Sequence, residues 1–362
     1  MKALLPTLRW ALLFSAGPAA MVAQRTAEPA WVETHVARGW SLDAAAAISR
    51  VSGAVSFSLG EVSVLALVAG LLVGGWLTFR PSDRWTRARR LLPYLLAAIS
   101  LTWAAGMMIW GLNYSREPIR LAFGYTVPKP TPEELGALGR ALLAEEGQAR
   151  ARVDEDAAGV ARLRDGLPDA FSRASGAFDR LGERFPFLGG RYAPPKGIVL
   201  SPILSFLGIG GVYDPLTAEP NLNVDVPEFF IPFNACHELA HQRSVAREDE
   251  ANFVGWLAAR GEPDADFQYS AARFAARHIL SAWGRTHPDE AYAAWRERSH
   301  AVRRDDAAAE AWRARYDTPI AHAGEAVNDA YLRSNGVSDG MESYGRVTDL
   351  LVAWARAEGP LR

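Results

Sequence analysis

The sequence predicts a mainly α-helical membrane protein in two parts: two to three N-terminal transmembrane helices, then a soluble, mostly helical domain with a small β element. Three observations carry this expectation. Two long uncharged apolar runs, Val62 to Phe79 and Leu91 to Ser115, lie in the first third of the chain, and no comparable run follows. The remainder alternates Ala- and Arg-rich helical stretches with one segment, Gly190 to Pro227, punctuated by Gly, Pro and Asn.

Averaged over its 362 residues the chain looks soluble, with 39 Lys+Arg, 41 Asp+Glu and 49% hydrophobic residues. The average sums two opposites, an apolar anchor and a charged domain. A net charge of -2 lacks the basic surplus that many phosphate contacts require, so no nucleic-acid partner is expected. The single cysteine, Cys236, excludes a disulfide scaffold or a Cys-rich zinc ribbon within one chain.

Each long run can cross about 30 Å of hydrocarbon at roughly 1.5 Å per residue. Upstream, the apolar Trp10 to Ala23 follows Lys2 and Arg9. It reads as an uncleaved span starting near Leu4, with a signal-peptide core as the alternative because Ala19, Ala20 and Ala23 resemble a cleavage zone. The expected spans are about 4–23, 60–79 and 91–113, giving an anchor over 1–114 and an extracytoplasmic domain over 115–362. The linker Arg80 to Arg90 holds five arginines and one aspartate, which places it and the N-terminus in the cytoplasm. The expected location is therefore a multi-pass inner-membrane protein, with the bilayer as partner and the C-terminal domain periplasmic or extracellular.

In that domain, Thr131, Pro132, Glu133 and Glu134 form a helix start, with a capping hydroxyl, proline in the first turn and acids near the positive end of the dipole. That helix should run to about Val153, and a second from Leu167 to Phe185. Gly197 to Leu200 and Asn221 to Val226 favour strands, the latter as an edge strand for an extended substrate. Helices resume from Glu228. The Arg296 to Tyr316 region reads as solvated helix faces, and an amphipathic stretch closes the chain from Met341 to Ala357.

The chemical signal is His237-Glu238-Leu239-Ala240-His241, an HExxH. On a helix, residues i and i+4 share a face, so both imidazoles can bind one Zn²⁺ while Glu238 reaches its water as general base. A third ligand is expected from Arg247 to Gly255. Glu248 is the first choice, with Glu250 as the alternative. A helix that turns Glu248 to the metal puts Asn252 on the same face, where its amide can bond a ligand histidine. Ala251 and Gly255 would permit close helix approach. Cys236 points about 100° away from His237 and reads as a small core residue. Gly208 to Gly211 form no phosphate loop but suggest a close-packed loop near the site.

HExxH followed by Glu248, Ala251, Asn252 and Gly255 resembles the glutamate-ligand zinc peptidases (gluzincins), with Asn252 where Asp is usual. Over nearly its full length the chain resembles a bacterial membrane family catalogued as domain of unknown function 3810. The matching features are Pro29 to Glu33, Gly111 to Tyr114, Gly211 to Tyr213 with Glu219 to Asn223, the CHELAHQ segment, Glu248 to Phe253, and Tyr331 to Tyr344. The resemblance implies a membrane-anchored, zincin-like metallopeptidase domain. The expected activity is hydrolysis of a peptide or protein by zinc-activated water. The alternatives are a zinc hydrolase of a non-peptide amide or ester, and a non-catalytic zinc-binding sensor or scaffold. Tyr213, Tyr331, Tyr344, Arg346 and His322 are candidate donors to a developing oxyanion.

Overall fold

The first apolar stretch forms helix α1 (Leu4–Thr26). After a π-helical segment, Val32–Trp40, come α2 (Ser41–Ser52), α3 (Leu59–Phe79) and α4 (Arg84–Ile109). The computed structural model describes residues 4–79, 84–335, 337 and 345–359, so part of the arginine-rich linker (80–83) lies outside the described residues.

Leu59–Trp76 and Trp85–Ile109 are long and apolar enough to cross a membrane. Only 6% of the first window and 17% of the second is buried, the opposite of a soluble core helix. Val64, Leu71, Leu72, Leu95 and Ile99 all point outward.

α1 packs along α4. Pro18 has no N–H, so the Phe14 carbonyl lacks its helical donor. Ser100 Oγ supplies one at 3.0 Å and accepts from Gly17 N at 3.0 Å. Trp10 meets Tyr94, Gly17 meets Trp103, and Ser115 Oγ donates to Gln24 O. Contacts that advance together along both helices mean that α1 and α4 run parallel.

The remaining chain is mostly helical. α5 (Pro132–Arg150) opens with the expected capping box: Glu134 N donates to Thr131 Oγ1, and Thr131 N donates to the Glu134 carboxylate. α6 (Gly166–Arg184) follows. The small sheet has strands β1 (Lys196–Gly197), β2 (Gly211–Asp214) and β3 (Glu219–Leu222), in the order β1-β3-β2. β1 is parallel to β3 and β2 antiparallel to it. The Asn221 stretch expected at an edge therefore begins in the central strand, because β2, from the glycine-rich loop, covers its other side.

Next come α7 (Ile231–Gln242), α8 (Glu248–Arg260), α9 (Ala265–Gly284), α10 (Pro288–Arg296), α11 (His300–Tyr316), α12 (Pro319–Ser334) and α13 (Val347–Glu358). The core gathers α5 to α9 and α13, with Trp283 seated over Gly136. α11 is not only a solvated face. Its Asp305 is fully buried and accepts from Arg150 Nε, Tyr269 Oη and Ala161 N. These partners are remote in sequence, so local charge patterning gave no sign of them.

Hydrogen bonds cross the division expected at residue 114. Glu219, on the central strand, accepts from Leu59 N and Gly60 N at the start of α3 and from Lys196 Nζ. A carboxylate there satisfies exposed amides and matches the helix dipole. Arg116, 1% exposed, holds Glu33 through two bonds of 2.8 and 2.9 Å and donates to Ser244 O.

Arg116→Met leaves the buried Glu33 with only the exposed Arg38 as partner and is expected to cost about 1–3 kcal/mol, read as a lower unfolding midpoint of the purified chain. Burial works against the Glu33 carboxylate, yet the bonds and charge of Arg116 and Arg38 hold its pKa below the usual value. A depressed folded-state pKa gives stability that is complete above the unfolded value of about 4.3 and lost as pH falls through the folded one. Below about pH 4, wild type should lose stability more steeply with acid than Arg116→Met.

Candidate metal centre

α7 starts with Pro232 in its first turn and buries Ala235, Cys236, Leu239 and Ala240. That burial fixes its rotation and turns His237, Glu238 and His241 toward the sheet and α8. Cys236 is wholly buried, its thiol pKa pushed up by burial, as a core residue should be.

The helix ends abruptly. Ser244 takes a positive φ of 64°, Ser244 N donates to His241 O, and Val245 N donates to Ala240 O. This is the Schellman pattern, with serine where glycine is usual. The reversal places Val245 O 2.7 Å from His241 Nδ1, which donates to it. In the neutral ring, His241 Nε2 is then the nitrogen that carries the lone pair.

After this turn, Glu248 opens α8 and faces α7. Its Oε2 lies 3.3 Å from His237 Nε2 and 3.7 Å from His241 Nε2, and the two Nε2 atoms are 3.1 Å apart. His237, His241 and Glu248 are the group of residues that can hold a metal ion among those described. Glu250, the alternative ligand, is elsewhere, accepting from Ile119 N and pairing with Arg247. Burial opposes a charged His241, but the Glu248 carboxylate raises its pKa to about 9. Burial likewise opposes the Glu248 carboxylate, which the two imidazoles hold well below its usual range. The pocket favours positive charge between these groups.

The helices can approach this closely because of Gly255. A Cβ there would lie 2.8 Å from His237 N and 2.9 Å from its Cα. Asn252 is buried on α8, but neither imidazole Nδ1 bonds to it: His241 Nδ1 uses Val245 O, and His237 Nδ1 has no partner among the described residues.

Glu238 is buried, and burial is the main reason that its pKa is raised. Its Oε2 has no hydrogen-bond partner among the described residues, while the neighbouring Tyr213 amide works the other way, favouring the carboxylate. Gly211 is so near that a Cβ would come within 2.7 Å of Glu238 Oε1. The glycine-rich loop is thus close-packed at the site.

β2 presents an open edge here. Asn223 N donates to Gly210 O, and Pro220, opposite Tyr213, has no N–H to give. By antiparallel alternation, Gly211 and Tyr213 turn their main-chain groups away from β3.

Trp110, in the second long apolar run, packs edge-on against His241 at 5.7 Å and meets the Tyr213 ring at a tilt, 5.0 Å away. Arg247 Nη2 donates to Tyr114 O and Arg116 O, tying the turn to the chain that leaves α4. No local signal connects these residues to the motif. Arg346 pairs with Asp249, away from the metal cluster. Tyr331 and His322 lie on α12 with side chains outside those described, and Tyr344 lies outside the described residues.

The fold and cluster define a mostly helical protein with two apolar helices and a two-histidine, one-glutamate site able to hold a metal ion. Residues 41–352 match the family described as protein of unknown function (DUF3810), and the chain belongs to that family. No curated protein and no solved structure matches it.

Glu248→Ala should weaken divalent-metal retention by more than the roughly 10–100-fold typical of losing an outer supporting hydrogen bond. Glu250→Gln, which still accepts from Ile119 N, should leave metal content unchanged after dialysis. Gly255→Ala forces α8 off α7 and should cost about 1–3 kcal/mol together with weaker metal retention.

Proposed function

We propose that the chain is a membrane-bound zinc metallopeptidase that hydrolyses peptide bonds, with Glu238 as general base. The observation that carries the reading is the cluster geometry. Tetrahedral zinc with bonds of about 2.0–2.2 Å has ligand atoms about 3.3–3.6 Å apart. The three separations here are 3.1, 3.3 and 3.7 Å, and hydrogen bonding already directs the His241 Nε2 lone pair inward.

Zinc in this trio would supply the Lewis acidity that makes water nucleophilic near neutral pH. The chain's own groups do the rest. Glu238, buried beside the trio with a free Oε2, is suited to take a proton and return it to the leaving amine. The open edge of β2 offers main-chain donors and acceptors to an extended polypeptide, which favours a peptide over a compact ester or amide. Trp110 shields one side of His241 from water. Tyr213, with its ring against Trp110, and Tyr331 are the proposed donors to developing negative charge.

In this reading α1, α3 and α4 span the inner membrane, with the N-terminus and the 80–90 linker cytoplasmic and the domain periplasmic or extracellular. Parallel α1 and α4 support it, because their N-terminal ends then share one side. The opposite ends all meet the domain: Gln24 O at Ser115, Leu59 N and Gly60 N at Glu219, and Trp110 at His241. The metal centre is therefore proposed to sit at the bilayer surface.

Purified full-length chain should retain about one zinc and cleave members of a peptide library, and Glu238→Gln should keep the zinc while turnover falls at least about 10³-fold. Zinc without Glu238-dependent peptide cleavage would point instead to a non-peptide hydrolase or a non-catalytic zinc protein. A reporter active only in the periplasm, fused after Arg362, should be active, whereas a cytoplasm-only reporter should be silent.

A further inference from the structure

Beside the N-terminal turn of α7 lies a second feature that the metal cluster does not use. An open cavity of about 620 Å³ is lined by α7, α9, α10 and α11, with Phe233 and Asn234 in its wall one turn before His237. The Phe233 ring is 6.1 Å from the His237 ring and stacks on Phe274 at 3.8 Å, and Phe274 meets His278 at 4.5 Å. A run of rings thus leads from the metal cluster into the cavity.

Its charges sort into two sets. Arg273 and Arg298 both pair with Asp306 and with Glu146, a self-neutralising quartet. Arg277 and Arg313 make no ion pair or hydrogen bond among the described residues, and the charged neighbours of Arg277 are Arg313 and Arg273, both positive. Glu310 also lines the cavity and pairs with neither. His278, held to a pKa of about 4 by burial and by Arg277, is neutral at physiological pH. Arg277 and Arg313 are solvent-exposed where they line this aromatic-walled concavity, so two like charges there attract an anion, and their planar forks match a carboxylate.

The geometry points to a substrate subsite for a carboxylate, from an acidic side chain or the peptide's own C-terminus, a few residues from the bond held at the metal cluster. This inference rests on the peptidase reading. An extended chain advances about 3.3 Å per residue, so a peptide laid from His237 along the Phe233 and Phe274 rings brings its next residues to the arginines.

The test is binding, measured by fluorescence anisotropy on full-length Glu238→Gln in detergent. Three labelled peptides of one sequence are compared: an internal Glu with an amidated end, a neutral sequence with a free C-terminus, and a neutral amidated control. At least one carboxylate-bearing peptide should bind ten-fold or more tighter than the control, and the arm that does so identifies the source. Arg277→Gln with Arg313→Gln should erase the difference without changing control affinity, and Arg277→Lys should keep part of it. Equal binding of all three peptides, or a preference that survives the double substitution, would overturn the subsite. If the preference holds and wild type cleaves no peptide, the subsite stands and the peptidase reading falls.

Discussion

Two imidazoles one helical turn apart make only part of a metal site. A carboxylate must meet them from another element, and here it comes from immediately downstream. The chain therefore has to stop one helix, reverse and start the next with its first side chain pointing back. Ser244 in the left-handed region makes the stop, and Gly255 makes the return possible by removing the Cβ that would strike the His237 backbone. The same reversal delivers Val245 O to His241 Nδ1. The geometry of the candidate cluster, the histidine tautomer and the helix crossing all depend on this close contact between α7 and α8.

That contact is braced from the apolar end of the molecule. Arg116 and Arg247 secure the turn to the chain leaving α4, and Trp110 rests on His241. Glu219 joins the central strand to the first turn of α3. The apolar helices are thus packed into the site's own support. In the proposed membrane setting, the position of the bilayer and that of the metal centre are mechanically linked.

Much of this was legible locally. The i, i+4 pairing of His237 and His241 follows from helical period, the Thr131 capping box from its short-range hydrogen bonds, and the apolar helices from unbroken hydrophobicity. Where reading the sequence failed, the deciding contacts were distant. The Asn221 stretch is β-favouring, but its place in the centre depends on where β1 and β2 come to lie. Asn252 shares a helix face with Glu248, yet among the described residues neither imidazole bonds to it, and His241 takes a main-chain carbonyl produced by the turn. Asp305 sits in a charge-rich run whose local pattern is that of a solvated face, and its distant partners Arg150, Tyr269 and Ala161 N explain its burial.

By itself, then, the sequence determined the elements whose causes lie within a few residues, namely the motif helix, the helix starts and the apolar runs, and it carries the match to a family of unknown function. It left Glu248 and Glu250 as competitors. Tertiary structure separated them, because helix rotation is set by what the rest of the helix buries. With Ala251, Val254 and Gly255 packed inward, Glu248 faces the histidines and Glu250 faces Ile119 N and Arg247. The open edge of β2 and the seat of Trp110 on His241 were decided in the same way, by packing between segments far apart in the chain, which local sequence patterns do not encode.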